Sequence, residues 1–112
     1  MKRMFVESTA VRRVLDANGV SDEQVREMEK ESMIGRGSVI EGTGGIRKIR
    51  CGAAGRGKSG GVRVALADYP DAGRTYLLAA LSKGAKGNFT KAERNELKRL
   101  KQALDRAVRS QS

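Results

Sequence analysis

The sequence predicts a small α+β domain: a helical hairpin, then an antiparallel β-sheet, then one long C-terminal helix. Three observations predict it. Two capping boxes, Ser21-x-x-Gln24 and Thr90-x-x-Glu93, each open a run with apolar residues at helical spacing. Between them, Val62, Val64 and Leu66 alternate with Arg63 and its neighbours, the period of a strand. The turn residues Tyr69-Pro70-Asp71-Ala72-Gly73 then lead into the apolar run TYLLAAL. Two adjacent strands with so short a connection must be antiparallel.

Taken in order, Met4–Glu7 reads as a short strand. Thr9–Ala17 reads as a helix, with Val11, Val14 and Leu15 on one face and Asn18-Gly19 as the stop. Behind Ser21, Val25, Met28 and Ser32 keep the helical period as far as Gly35. Gly35 to Gly44 reads as a loop and Ile46–Cys51 as a strand. A Gly/Lys/Arg loop follows, then the strands Val62–Ala67 and Thr75–Leu81. Leu97, Leu100, Leu104 and Val108 give the last helix its apolar stripe, leaving Lys91, Arg94, Lys98, Arg99, Lys101, Arg106 and Arg109 as a basic back.

The 112 residues suffice for one domain with a modest, mostly aliphatic core and leave no room for a second. Two Phe, two Tyr and no Trp argue against an aromatic stacking platform for single strands. The net charge of +10 is unevenly spread. Residues 1–44 hold seven Lys/Arg and eight Asp/Glu; residues 45–112 hold sixteen and five. So basic a half is an electrostatic footprint for nucleic acid, an acidic membrane or an acidic protein. The single Cys51 and the lack of histidine exclude an internal disulfide and leave no zinc or thiol-imidazole site, so neither metal nor cofactor is expected. No signal-peptide core or transmembrane run is apparent, so a cytoplasmic protein is expected.

The stretch Gly42–Arg63, GTGGIRKIRCGAAGRGKSGGVR, concentrates the chemistry. It carries eight of the fourteen glycines, six Lys/Arg and no carboxylate. Glycine lets backbone approach a ligand closely, and unpaired positive charge suits a phosphate-bearing one. Gly52 to Ser59 fits the pattern GxxxxGK[ST] of a P-loop. A P-loop must open a helix, whereas here Gly60-Gly61 and a strand follow. Only ten residues separate Lys58 from Asp68, too few for a helical crossover. An NTPase is therefore rejected.

Residues two apart on a strand share a face, so Lys48 and Arg50 project together, and Arg63 joins them if its outer face is the same. Such cations bind a phosphodiester, stabilise its pentavalent transition state, and lower one another's pKa so that a lysine can act as base without histidine. The same residue types also serve plain backbone binding without catalysis.

The segments EGTGGIRKIRCGAAGRGKSGGVRV and TYLLAALSKGAKGNFTKAERNELKRL, with FVEST near the N-terminus, resemble the HigB branch of the RelE/ParE toxin superfamily over nearly the whole chain. The resemblance implies a single toxin domain over residues 1–112 with a curved antiparallel sheet. It implies a ribosome-dependent endoribonuclease that enters the ribosomal A site and cuts mRNA there, the 2′-hydroxyl attacking the adjacent phosphate. It also implies a HigA-like helix-turn-helix antitoxin as partner. The catalytic positions of the ribonuclease relatives map onto Lys48, Arg50 and Arg63, with Arg47, Arg56, Lys58 and Lys83 as RNA- and phosphate-binding companions. The chain departs from the family at Leu66-Ala67 and Leu81, where relatives often carry aromatics; Tyr76 reads as core. Two other functions stay open: a ParE-like toxin that poisons DNA gyrase without catalysis, and an RNA-binding ribosome accessory.

Overall fold

The computed structural model describes residues 2–53, 57–82 and 88–111, and of residues 53 and 57–60 it describes the backbone alone. Among the described residues three helices and a five-stranded mixed sheet make an α+β fold. Strand β1 (Met4–Glu7) leads into α1 (Thr9–Ala17) and α2 (Asp22–Met33). The strands β2 (Ser38–Val39), β3 (Arg47–Ala53), β4 (Gly57–Tyr69) and β5 (Arg74–Ser82) follow, and α3 (Lys91–Ser110) ends the chain. A single 3-10 turn, Pro70–Ala72, joins β4 to β5.

Both predicted capping boxes form. The Ser21 hydroxyl accepts from the Gln24 amide at 3.2 Å, and the Gln24 side chain accepts from the Ser21 amide at 2.9 Å. Thr90 and Glu93 make the same reciprocal pair at 3.2 and 2.7 Å. Each box satisfies two of the amides that a helix start leaves open.

The sheet runs β1-β5-β4-β3-β2. The pairs β2–β3, β3–β4 and β4–β5 are antiparallel, but β1 lies parallel to β5, so the sheet is mixed and not antiparallel throughout. The reason is connectivity: a short turn forces its two strands antiparallel, whereas β1 and β5 are far apart in the chain and bound by no such rule. Between Gly35 and Gly44 the two residues Ser38–Val39 pair with Lys48 and Arg47, so part of the expected loop is strand.

Helices cover both faces. Val11 and Leu15 of α1 and Val25 and Met28 of α2 pack on Ile49, Cys51, Val62, Val64, Leu66 and Leu77. On the other face Phe89 and Leu97 meet Ile46, Ala65 and Ala67, with Leu78, Ala79, Leu81 and Leu104 around them. Strand β5 serves both clusters through a bulge. Ala65 pairs with Ala79 and Leu66 with Leu77, which leaves Leu78 as the extra residue and resets the alternation. Of the α3 stripe, Leu97 is buried, Leu104 and Val108 are half-buried, and Leu100 is 45% exposed. Among the described residues no helix is long and apolar enough to cross a membrane.

Candidate functional site

The GTGG segment fixes where β3 begins. Thr43 is fully buried; its hydroxyl donates to the Ile40 carbonyl at 2.7 Å and accepts from the Ile46 amide at 3.2 Å. The Ile40 amide donates to the Ile46 carbonyl at 2.8 Å, closing the turn. Gly42, Gly44 and Gly45 around Thr43 all take positive φ, which a residue with a side chain resists. This stapled turn sets the phase of β3. Ile49 and Cys51 then face the helix pair, while Lys48 and Arg50 face the α3 side.

Register brings the third cation in. Arg50 pairs directly with Arg63, and Lys48 with Ala65, one of the α3-side core residues. Cross-strand partners share a face, so Lys48, Arg50 and Arg63 stand together on the face that carries α3. Beside them at Gly61, a Cβ would lie 2.5 Å from the Cys51 carbonyl, so glycine is what lets the two strands close at this point.

Several cations elsewhere are paired with carboxylates. Arg12 binds Glu7, Asp16 and Asp22, Arg3 binds Asp68, and Lys101 binds Asp105. Among the described residues neither Arg50 nor Arg63 makes an ion pair, and the Lys48 ammonium donates to the Asn88 side-chain oxygen at 2.9 Å. Among the described residues the Nε of Arg63 is buried without an acceptor. An exposed cation is served by water; a buried N–H without one costs about 1–3 kcal/mol and calls for an explanation such as a ligand.

The other expected site residues stand elsewhere. Arg47 lies on the helix-pair side of β3. Its Nε donates to Asp68 at 2.8 Å, and its other nitrogens donate to the carbonyls of Arg36 and Ser32 at 2.7 and 3.1 Å. It therefore ties the C-terminal end of α2 to the sheet, on the face opposite Lys48, Arg50 and Arg63. Lys58 belongs to the backbone of β4, which begins at Gly57 and pairs there with Ala53, so it is on a strand and not in the expected loop. Poor strand propensity of glycine hid this extension. That strand also replaces the helix a P-loop would need after Ser59. Arg56 and Lys83 lie outside the described residues. Tyr76 is half-buried, and its ring meets that of Tyr69 edge-on at 5.7 Å, near the Pro70 turn.

Sequence reasoning missed part of the site. Lys91 and Arg94, expected on the basic back of the last helix, instead line a cavity of about 580 Å³ together with Lys48, Asn88 and Asn95. The Thr90 capping box was the available signal. It fixes Lys91 and Arg94 in the first turn, three apart and therefore neighbours on one side of α3. At the other end of α3, Tyr69 donates to Asp105 at 2.7 Å and Lys101 donates to the same oxygen at 2.7 Å. Burial and the Asp105 carboxylate push the Tyr69 phenol up. Burial alone would raise Asp105, but its bonds from Lys101 and Tyr69 outweigh that and hold it low.

Among the described residues no group of three His, Cys, Asp or Glu could hold a metal ion. What the arrangement can do is bind a phosphodiester against an open strand pair, with guanidinium donors held by the sheet. No protein-family model matches the chain.

Proposed function

We propose that this chain is a toxin of the RelE/ParE superfamily, of the HigB kind, that cleaves mRNA in the ribosomal A site. The observation that carries the reading is the direct pairing of Arg50 with Arg63. Like charges set opposite one another destabilise a sheet. A fold keeps such a pair where an anion regularly comes between its members.

In the proposed reaction the 2′-oxygen attacks the adjacent phosphorus while the bond to the 5′-oxygen breaks. The products are a cyclic phosphate and a free 5′-hydroxyl. The proton leaves the 2′-hydroxyl and one returns to the 5′-oxygen, so no cofactor or metal is required. Arg50 and Arg63 neutralise the charge that builds on the non-bridging oxygens. Lys48, anchored by Asn88, supplies the third cation. A HigA-like helix-turn-helix antitoxin is the expected neutralising partner, offering carboxylates to the same face.

One observation favours the second reading, a ParE-like poison of DNA gyrase. Leu81 stands opposite Arg63 on β5, and both tyrosines sit at the far, Pro70 end of the strands, so no phenol accompanies the cations. A plain RNA-binding accessory of the ribosome would need the same cations without their chemistry. The test is purified protein on ribosomes programmed with a defined mRNA, beside a gyrase supercoiling assay. Cleavage in the A-site codon, blocked by a 2′-deoxy nucleotide there, is expected with supercoiling unaffected. Intact mRNA with inhibited supercoiling would replace the first reading by the second.

A further inference from the structure

The cavity between the Val39–Gly42 segment and the first turn of α3 is separate from the strand cations except at Lys48, which borders both. Its volume of about 580 Å³ falls within the range of small-molecule sites. Three cations line it, Lys48, Lys91 and Arg94, against one carboxylate, Glu41. None of these cations makes an ion pair among the described residues. One nitrogen of Arg94 is held by the Phe89 carbonyl at 2.9 Å, which aims the guanidinium and leaves it further donors.

The helix start itself is not the site. Thr90 and Glu93 already occupy each other's amides, so recognition falls to side chains. Two of those are amides, Asn88 and Asn95. The Asn88 oxygen is taken by Lys48, so its NH₂ is the part left to donate. Val39, 63% exposed on the short strand β2, gives the cavity an apolar rim. Cations for a phosphate, amides for a base edge and an apolar surface for a base plane together describe a nucleotide. Unstacked bases of single-stranded RNA are read in this way, whereas duplex RNA hides its base edges.

We propose that this cavity binds one nucleotide of single-stranded RNA next to the phosphate held by Lys48, Arg50 and Arg63, so that the first turn of α3 helps select which nucleotide flanks the cut. The identification of the ligand as RNA rests on the nuclease reading. With Lys48 bordering both sites, a strand lying across it would meet the two in succession.

The test is an NMR titration of the full chain with a 2′-O-methylated RNA trinucleotide, which cannot be cleaved, following the side-chain amides of Asn88 and Asn95. Saturable shifts of both amides are expected. Parallel arms use inorganic phosphate and an A-form RNA duplex, each expected to bind more weakly and to leave the Asn95 amide in place. Lys91→Ala, a change at an exposed position, should lower the slope of log affinity against log salt by about 0.7, the loss of one single-strand phosphate contact. Glu41→Gln, also exposed, should tighten the trinucleotide by roughly twofold, since it removes the one repelling charge. Absent amide shifts, equal binding of phosphate, or preference for the duplex would each overturn the proposal. Trinucleotide binding here beside intact mRNA on programmed ribosomes would support the cavity and remove the nuclease reading alone.

Discussion

Arg50 on β3 lies directly opposite Arg63 on β4, and neither has a carboxylate partner among the described residues. The pair costs stability in the free protein, by roughly 0.2–1 kcal/mol for like charges across a strand. The buried Nε of Arg63 adds to that cost. Arg50→Gln and Arg63→Met are therefore expected to raise stability while abolishing cleavage. For a domain of this size 1 kcal/mol corresponds to a Tm shift of roughly 4–8 °C. Urea unfolding of both variants beside a cleavage assay checks this; lower stability in both would remove the argument that an anion completes the pair.

Arg47, immediately before Lys48 in the same motif, does different work. It spans Asp68 and the carbonyls of Ser32 and Arg36, with its side chain only 17% exposed. Its removal strips one of the partners that Asp68 shares with Arg3 and Thr75, and frees the end of α2. Arg47→Ala should cost about 2 kcal/mol, below the range for fully buried pairs because both groups keep some solvent. The salt slope of RNA binding should stay as in the parent protein. A slope lowered in Arg47→Ala with stability unchanged would return this residue to the RNA-binding set.

That contrast shows what was legible in the sequence. Periodicity and caps located α1, α2 and α3, because those signals are local: Ser21 with Gln24, Thr90 with Glu93. The joint projection of Lys48 and Arg50 follows from strand alternation, and Arg63 joined them once register was known. Arg47 was lost because its role depends on Asp68, twenty-one residues on, and on the end of another element. The start of β4 was hidden by its glycines, of which Gly61 owes its place to close approach to the Cys51 carbonyl rather than to propensity. The cavity at Lys91 and Arg94 needs the docking angle of α3, which no stripe of leucines specifies.

Cys51 offers a test of the core beneath the site. It is 1% exposed, and burial, with Glu29 and Glu31 nearby, pushes its thiol up to about 11. The folded thiol keeps its proton where the unfolded one, near its ordinary value, loses it. Stability is thus intact below the unfolded pKa and falls as pH rises toward 11, by about 2–3 kcal/mol from this group. Urea unfolding at pH 8 and pH 10.5 should show a smaller loss in Cys51→Ala than in the parent protein, and maleimide at pH 7.5 should leave the folded thiol unmodified. Rapid labelling of the native protein would contradict the burial.

Tyr69 and Lys101 both donate to one oxygen of Asp105, and the Lys101 ammonium also lies 5.0 Å from the centre of the Tyr69 ring. This clasp holds the C-terminal half of α3, where Leu104 and Val108 are only half-buried, to the end of β4. Hydrogen bonds to a charged group contribute roughly 1.5–3 kcal/mol, but Asp105 is 41% exposed, so about 1 kcal/mol of coupling with Tyr69 is expected after solvent screening. The sign with pH follows from the lowered carboxyl: the clasp is complete above the ordinary carboxylate pKa and is lost as pH falls through the folded value. A double-mutant cycle of Tyr69→Phe and Asp105→Asn measures the coupling at pH 7 and again below the carboxylate range, where it should vanish. Hydrogen exchange of α3 gives the second readout, with faster exchange expected for residues 104–110 than for residues 91–97 in Asp105→Asn. Uniform exchange along the helix, or a coupling of zero at pH 7, would mean that packing through Leu97 holds α3 without the clasp.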